Sequence, residues 1–102
     1  MSGTIAVLPY FIFERVVQNQ QQATIVHQLE LRLYAAKITS RDREFPIDRV
    51  HDMTFRQVSG EDGMLYLHTD KGVYSFIVRT DPRRFMEAYR ELKFRLREGK
   101  SE

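Results

Sequence analysis

A chain of 102 residues holds one domain, long enough to bury about two-thirds of its unfolded surface around a single core and too short for two. With 42% apolar and 29% charged residues, five Gly and three Pro, its composition excludes a disordered, collagenous or membrane-spanning chain, and the absence of Cys excludes disulfides, thiolate metal sites and cysteine nucleophiles while suiting a reducing compartment. The 16 Lys and Arg against 14 Asp and Glu leave a net charge of +2, too small to define a nucleic-acid binder.

Residues 1–17 read as an N-terminal extended segment, because β-branched and aromatic residues dominate and Pro9 opposes a helix; one or two edge strands are expected. Its apolar run, Ile5 to Phe13, falls well short of the about 20 residues that a spanning helix needs. Tyr10, Phe11, Ile12 and Phe13 are read as strand and core, with peripheral membrane contact as the other use of such a cluster. The start Met1-Ser2-Gly3-Thr4 lacks the basic residues of a secretory signal, so the expected compartment is the cytoplasm, or the inner face of the membrane for a peripheral protein.

Gln18 to Gln22 reads as a polar connecting loop. From Thr24 to Ala35 the pattern alternates with period two, placing Ile25, His27, Leu29, Leu31 and Leu33 on one face of a long strand. Lys37-Ile38-Thr39 and Arg43-Glu44-Phe45 flank a turn at Ser40-Arg41-Asp42, forming a small hairpin that Pro46 ends. Val50 to Val58 alternates again, Ser59 to Gly63 is a loop by composition, and Met64 to Thr69 and Val73 to Arg79 form a hairpin about Asp70-Lys71-Gly72. The strands thus occupy residues 23–79.

The period then changes. Thr80 or Asp81 serves as N-cap, Pro82 takes the first helical position, and Phe85, Tyr89, Leu92 and Leu96 form the apolar stripe of a helix over 81–98. From Pro82 to Lys100 there are seven basic and three acidic residues, with Arg83, Arg90, Lys93 and Arg97 on one flank and Glu87, Glu91 and Glu98 on the other. Phe94 lies about 180° from Phe85, away from the stripe.

A series of antiparallel strands closed by one C-terminal helix resembles the pleckstrin-homology superfold, especially the small bacterial PH-like domains. The resemblance covers residues 24–97. It is carried by Phe45-Pro46-Ile47-Asp48-Arg49-Val50 after the small hairpin, by Met64 to Thr69 with Gly72 to Phe76, and by Asp81-Pro82 opening a helix with Phe85 one turn in. It implies a mainly β fold, a bent antiparallel sheet or partly open β-barrel capped by the helix, with the first 17 residues as an addition. It also implies a binding module and leaves the ligand open.

The three His give no catalytic arrangement. His27 shares a face with Leu29 and Leu31, and the neighbours His51 and Asp52 point to opposite faces of a strand. His68 and Asp70 are two residues apart, where a turn-capping Asp explains the pair. Gly60-Glu61-Asp62-Gly63 opens a strand without the Lys and Ser/Thr of a phosphate loop. No enzyme, metal or cofactor is expected.

Two functions follow. In the first, a non-catalytic binding module engages an anionic headgroup or acidic peptide through Lys37, Arg41 and Arg43, since Arg forks suit phosphate and carboxylate. In the second, the chain is a self-association domain whose partner is itself, using an exposed sheet edge with the aromatic N-terminal segment, or a homodimer contact at Phe94 with Arg90 and Arg97. Nucleic acid ranks last as a partner, because Glu87, Glu91 and Glu98 would repel phosphate.

Overall fold

The computed structural model describes residues 3–100; Met1 and Ser2, which opened the segment read for a secretory signal, lie outside them. Seven strands and one helix follow in order: β1 (Ala6–Gln18), β2 (Gln21–Leu33), β3 (Lys37–Thr39), β4 (Glu44–Pro46), a 3-10 turn (Ile47–Arg49), β5 (Val50–Ser59), β6 (Asp62–Thr69), β7 (Gly72–Val78) and α1 (Arg83–Lys100). The strands form one antiparallel sheet in the order β4-β3-β2-β1-β7-β6-β5.

That order forces the sheet to curl. β4 and β5 stand at its opposite ends, about 29 Å apart if the sheet were flat, yet the connection between them spans at most about 14 Å. Aromatic contacts show the same closure. The rings of Phe45 in β4 and Tyr74 in β7 lie 5.0 Å apart, where a flat sheet would separate them by about 19 Å. The result is a bent, partly open barrel around Leu8, Leu31, Leu33, Ile38, Val50, Met53, Leu65, Leu67 and Val78.

The helix covers the opening. Phe85, Met86 and Tyr89 are buried, and three side chains of α1 donate to carbonyl groups on the open side: Tyr89 to Val50 at 3.0 Å, Arg90 to Met53 at 3.2 Å and Lys93 to Ile47 at 3.1 Å. Asp81 Oδ1 accepts the Arg83 N–H at 3.0 Å, which caps the helix as the sequence predicts. The Arg83 guanidinium bound to the same carboxylate, together with that backbone N–H, holds the Asp81 carboxyl below its ordinary value.

Several expectations are corrected. The N-terminal segment is neither an addition nor an edge: β1 is the central strand of the seven. Gln18–Gln22 is not a loop, because β1 runs straight into β2 through the two-residue turn Asn19–Gln20, both with positive φ (51° and 63°). That is the backbone a tight hairpin requires. The Ser59–Gly63 loop shrinks to Gly60–Glu61, with Gly63 buried inside β6. Leu96, placed in the stripe, is exposed, and Met86 takes part in the core instead.

Candidate interaction surface

β1 and β2 are 13 residues each and pair along their whole length, whereas their outer neighbours are short. β3 reaches only Arg32 and Leu33 of β2, and β7 meets β1 at Phe11 opposite Ile77. The register would next place Pro9 opposite Arg79, and Pro9 has no N–H to extend that ladder. On the other side of Phe11 the same register would place Phe13 opposite Ser75, a pair that does not form, so Ile12 to His27 projects as a two-stranded arm. Molecular dimensions of 64 × 28 × 28 Å and a radius of gyration of 15.8 Å, against about 13 Å for a compact chain of this length, reflect it.

Both faces of the arm carry apolar side chains. Directly opposed residues share a face, so the face that continues the core from Leu8 and Tyr10 carries Ile12, Val16, Ala23 and Ile25, with His27 Nε2 2.8 Å from Glu14 Oε1. The other face carries Phe13 opposite Val26, and Val17 near the tip. Ile12, Phe13, Val17, Ile25 and Val26 are all exposed. At the base, the Arg79 guanidinium lies 5.0 Å from the Phe11 ring centre and 5.3 Å from that of Phe13, while its Nε donates to Asp62 at 2.9 Å. Where β1 and β7 part, a cleft of about 380 Å³ opens, lined by Ile12, Phe13, Tyr74, Phe76 and Arg43 among others.

The arm also presents a bare edge. The two-residue turn fixes the alternation of the ladder, so the backbone N–H and C=O groups of Gln22, Thr24, Val26, Gln28 and Glu30 point away from β1. Arg32, next in that series, does pair with β3. From Gln21 to Leu29 the edge has no charged residue, no Pro and no Gly, the features that normally keep a free strand from adding another. The two ends of the sheet are better protected. β4 is three residues long and carries Glu44 and Pro46, and β5 carries Asp52 and Arg56 and lies under the helix donors.

The cations expected to hold an anion each lie beside an acidic or aromatic group of this chain. Lys37 Nζ donates to Glu44 at 3.1 Å, Arg41 Nε is 3.9 Å from Asp42, and the Arg43 guanidinium lies over the Tyr74 ring at 4.9 Å. The neighbouring cavity of about 500 Å³ is lined by Arg43, Arg49 and Lys71 together with Asp42, Glu44 and Asp70, a balanced set in which Arg49 binds Asp70 at 2.8 Å. Phe94 is 58% exposed, as its helical angle predicts; Arg90 is drawn to the Met53 carbonyl, while Arg97 lies by a hollow with Asp48, Lys93 and Leu96. His68 bonds to Thr54 at 2.8 Å, apart from Asp70. Among the described residues there is no group of three metal-ligating side chains, and no helix is long and apolar enough to cross a membrane.

The mainly β, helix-capped open barrel defines the class of fold. No protein-family model matches the chain, and neither a curated protein nor a solved structure is significantly similar to it.

The arm was only partly legible in the sequence. Alternation marked β2 as a strand, but the projection depends on how short β3 and the β1–β7 contact are, which no local pattern encodes. The one local signal was Asn19, a residue that tolerates positive φ, in the middle of the polar tract.

Proposed function

We propose that this chain is a non-catalytic, PH-like interaction module that binds a protein partner by strand addition along its projecting hairpin. The observation that carries this reading is the bare β2 edge on an arm apolar on both faces. A free strand without charge, Pro or Gly is a template for another strand, and main-chain pairing supplies affinity while alternate side chains supply specificity. The test is a photo-reactive benzoylphenylalanine placed at Val17 on the arm and, as control, at Val58 on β5, both well exposed. Irradiation of the cells that make the protein gives a discrete adduct from Val17 and none from Val58. No adduct, or equal labelling at both positions, overturns the reading.

A second reading retains an anionic headgroup or acidic peptide as the ligand, supported by Arg43, Arg49 and Lys71 lining one cavity. Arg41→Glu with Arg43→Glu would then weaken co-sedimentation with anionic liposomes while leaving the melting temperature nearly unchanged, because exposed charges contribute little to stability. Equal sedimentation of variant and parent retires it.

A further inference from the structure

Resting on the reading of the arm as a strand-addition site, we infer that the strand added is β2 of a second copy of this chain, the two edges running antiparallel about a two-fold axis at Val26. The free edge extends from Gln21 at the turn to Leu31, where β3 takes over at Arg32, so its midpoint is Val26. A two-fold axis perpendicular to the sheet at that residue matches the whole edge to itself. The tip of each arm then stops where the second copy's β3 begins.

The opposed residues fit. Val26 faces Val26 of the second copy, Thr24 faces Gln28, Gln22 faces Glu30, Ile25 faces His27 and Ala23 faces Leu29, each of the last four occurring twice by symmetry. No like charges meet. Glu30, the one acidic residue on the edge, is neutralised within its own chain by Arg32 at 2.6 Å, and His27 is held by Glu14. Because Phe13 already stands opposite Val26, pairing creates an apolar row across four strands: Phe13, Val26, and Val26 and Phe13 of the second copy. On the other face, Val16 and Ala23 line up with Leu29 and Tyr10 of the second copy.

The bonding is also sufficient. The five residues whose amides and carbonyls point outward would exchange about ten main-chain hydrogen bonds with the second copy, the number an ordinary protein interface carries. The β1 edge of the arm fits less well. It is shorter, ends against β7 at Phe11, and in its longest self-pairing sets Arg15 against Arg15.

The chain has no Cys, so an introduced one reports the register without ambiguity. Val26→Cys places the two sulfurs at the axis, at a Cα separation that a disulfide accepts, and mild oxidation gives a covalent dimer. Val17→Cys, remote from the axis, gives none. The parent chain sediments at twice 12.1 kDa. Val26→Lys sets like charges directly opposite and raises the dissociation constant about a hundredfold. Thr24→Pro removes an outward N–H that β1 does not use and also gives a monomer with an unchanged circular dichroism spectrum, whereas Val58→Lys remains dimeric.

A parent chain that is monomeric at 100 µM, or a dimer insensitive to both Val26→Lys and Thr24→Pro, overturns the proposal. So does crosslinking from Val17→Cys in place of Val26→Cys. In the photo-crosslinking experiment, an adduct of twice the chain mass supports self-pairing. An adduct of another mass overturns self-pairing and leaves the arm as a strand-addition site. Absence of any adduct removes both.

Discussion

The Tyr89 hydroxyl donates to the Val50 carbonyl at 3.0 Å, joining the middle of the helix to the first residue of β5, 39 positions earlier. Both residues are buried, so the bond closes the open side of the barrel where β4 and β5 do not pair. Burial, with the Asp52 carboxylate adding to it, pushes the Tyr89 phenol up to about 12.

Because the folded value is raised, the neutral phenol contributes its full stabilisation below the unfolded value of about 10 and loses it as pH rises through 12. Tyr89→Phe should cost about 1–2 kcal/mol at neutral pH by leaving the Val50 carbonyl unpaired. The gap between parent and variant should narrow between pH 10 and 12. Urea denaturation at neutral and alkaline pH checks both; a constant gap would separate Tyr89 from the alkaline transition.

Gly63 is required by the ring beneath it. A Cβ there would run into the Phe55 ring and come 3.2 Å from the Arg56 carbonyl oxygen. Gly63→Ala should destabilise by about 1–3 kcal/mol. Adding Phe55→Leu should restore part of the loss, a coupling that a double-mutant cycle measures.

At the arm tip, Asn19 and Gln20 both hold positive φ. Gln20→Val puts a β-branched side chain into that conformation, and hydrogen exchange of the arm amides should accelerate. Thermal unfolding of the body should hardly change, because few core contacts depend on the tip. Gln20→Gly should slow the same amides.

Ending the chain at Arg79 would uncover Val50 and Met53 and leave the Ile47, Val50 and Met53 carbonyls without their helix donors. An insoluble or molten product is expected, with near-ultraviolet circular dichroism lost and dye-accessible apolar surface gained. A cooperatively unfolding monomer would show that the barrel closes without α1.

The sequence was informative wherever one face of an element is buried. Tyr74, Phe76 and Val78 on β7 and Phe85 and Tyr89 on α1 alternate or recur as their burial requires, whereas on β6 the alternation admits either Leu65 and Leu67 or Met64 and Tyr66 inward, and the fold buries the leucines. It failed where the outcome depends on neighbours far along the chain. Residues 1–17, where Pro9 opposes a helix, are expected as one or two edge strands, yet β1 is the central strand, with Pro9 at a place where β1 and β7 do not pair. Arg90 and Lys93 looked like a solvent-facing basic flank, but their long stems carry the charged ends to carbonyl groups of β5 and the preceding turn. The three basic residues of the small hairpin were legible as cations, and Asp42 and Glu44 as compensating charges beside them, while the stacking of Arg43 on Tyr74 became visible only once β4 and β7 were brought together.

The three residues of β3 decide how much of the thirteen-residue β2 is left open. Its reversal at Ser40–Arg43 is tied to the core where the Arg41 N–H donates to the hydroxyl of buried Tyr10 at 3.0 Å, so moving it outward by whole pairs of residues would extend β3 and β4 together and give up that bond. Each added pair would sheathe one more pair of β2 positions, until the arm became an internal part of a larger sheet. Sociability in this fold is therefore set by the length of one small hairpin, which is anchored to the core through Tyr10.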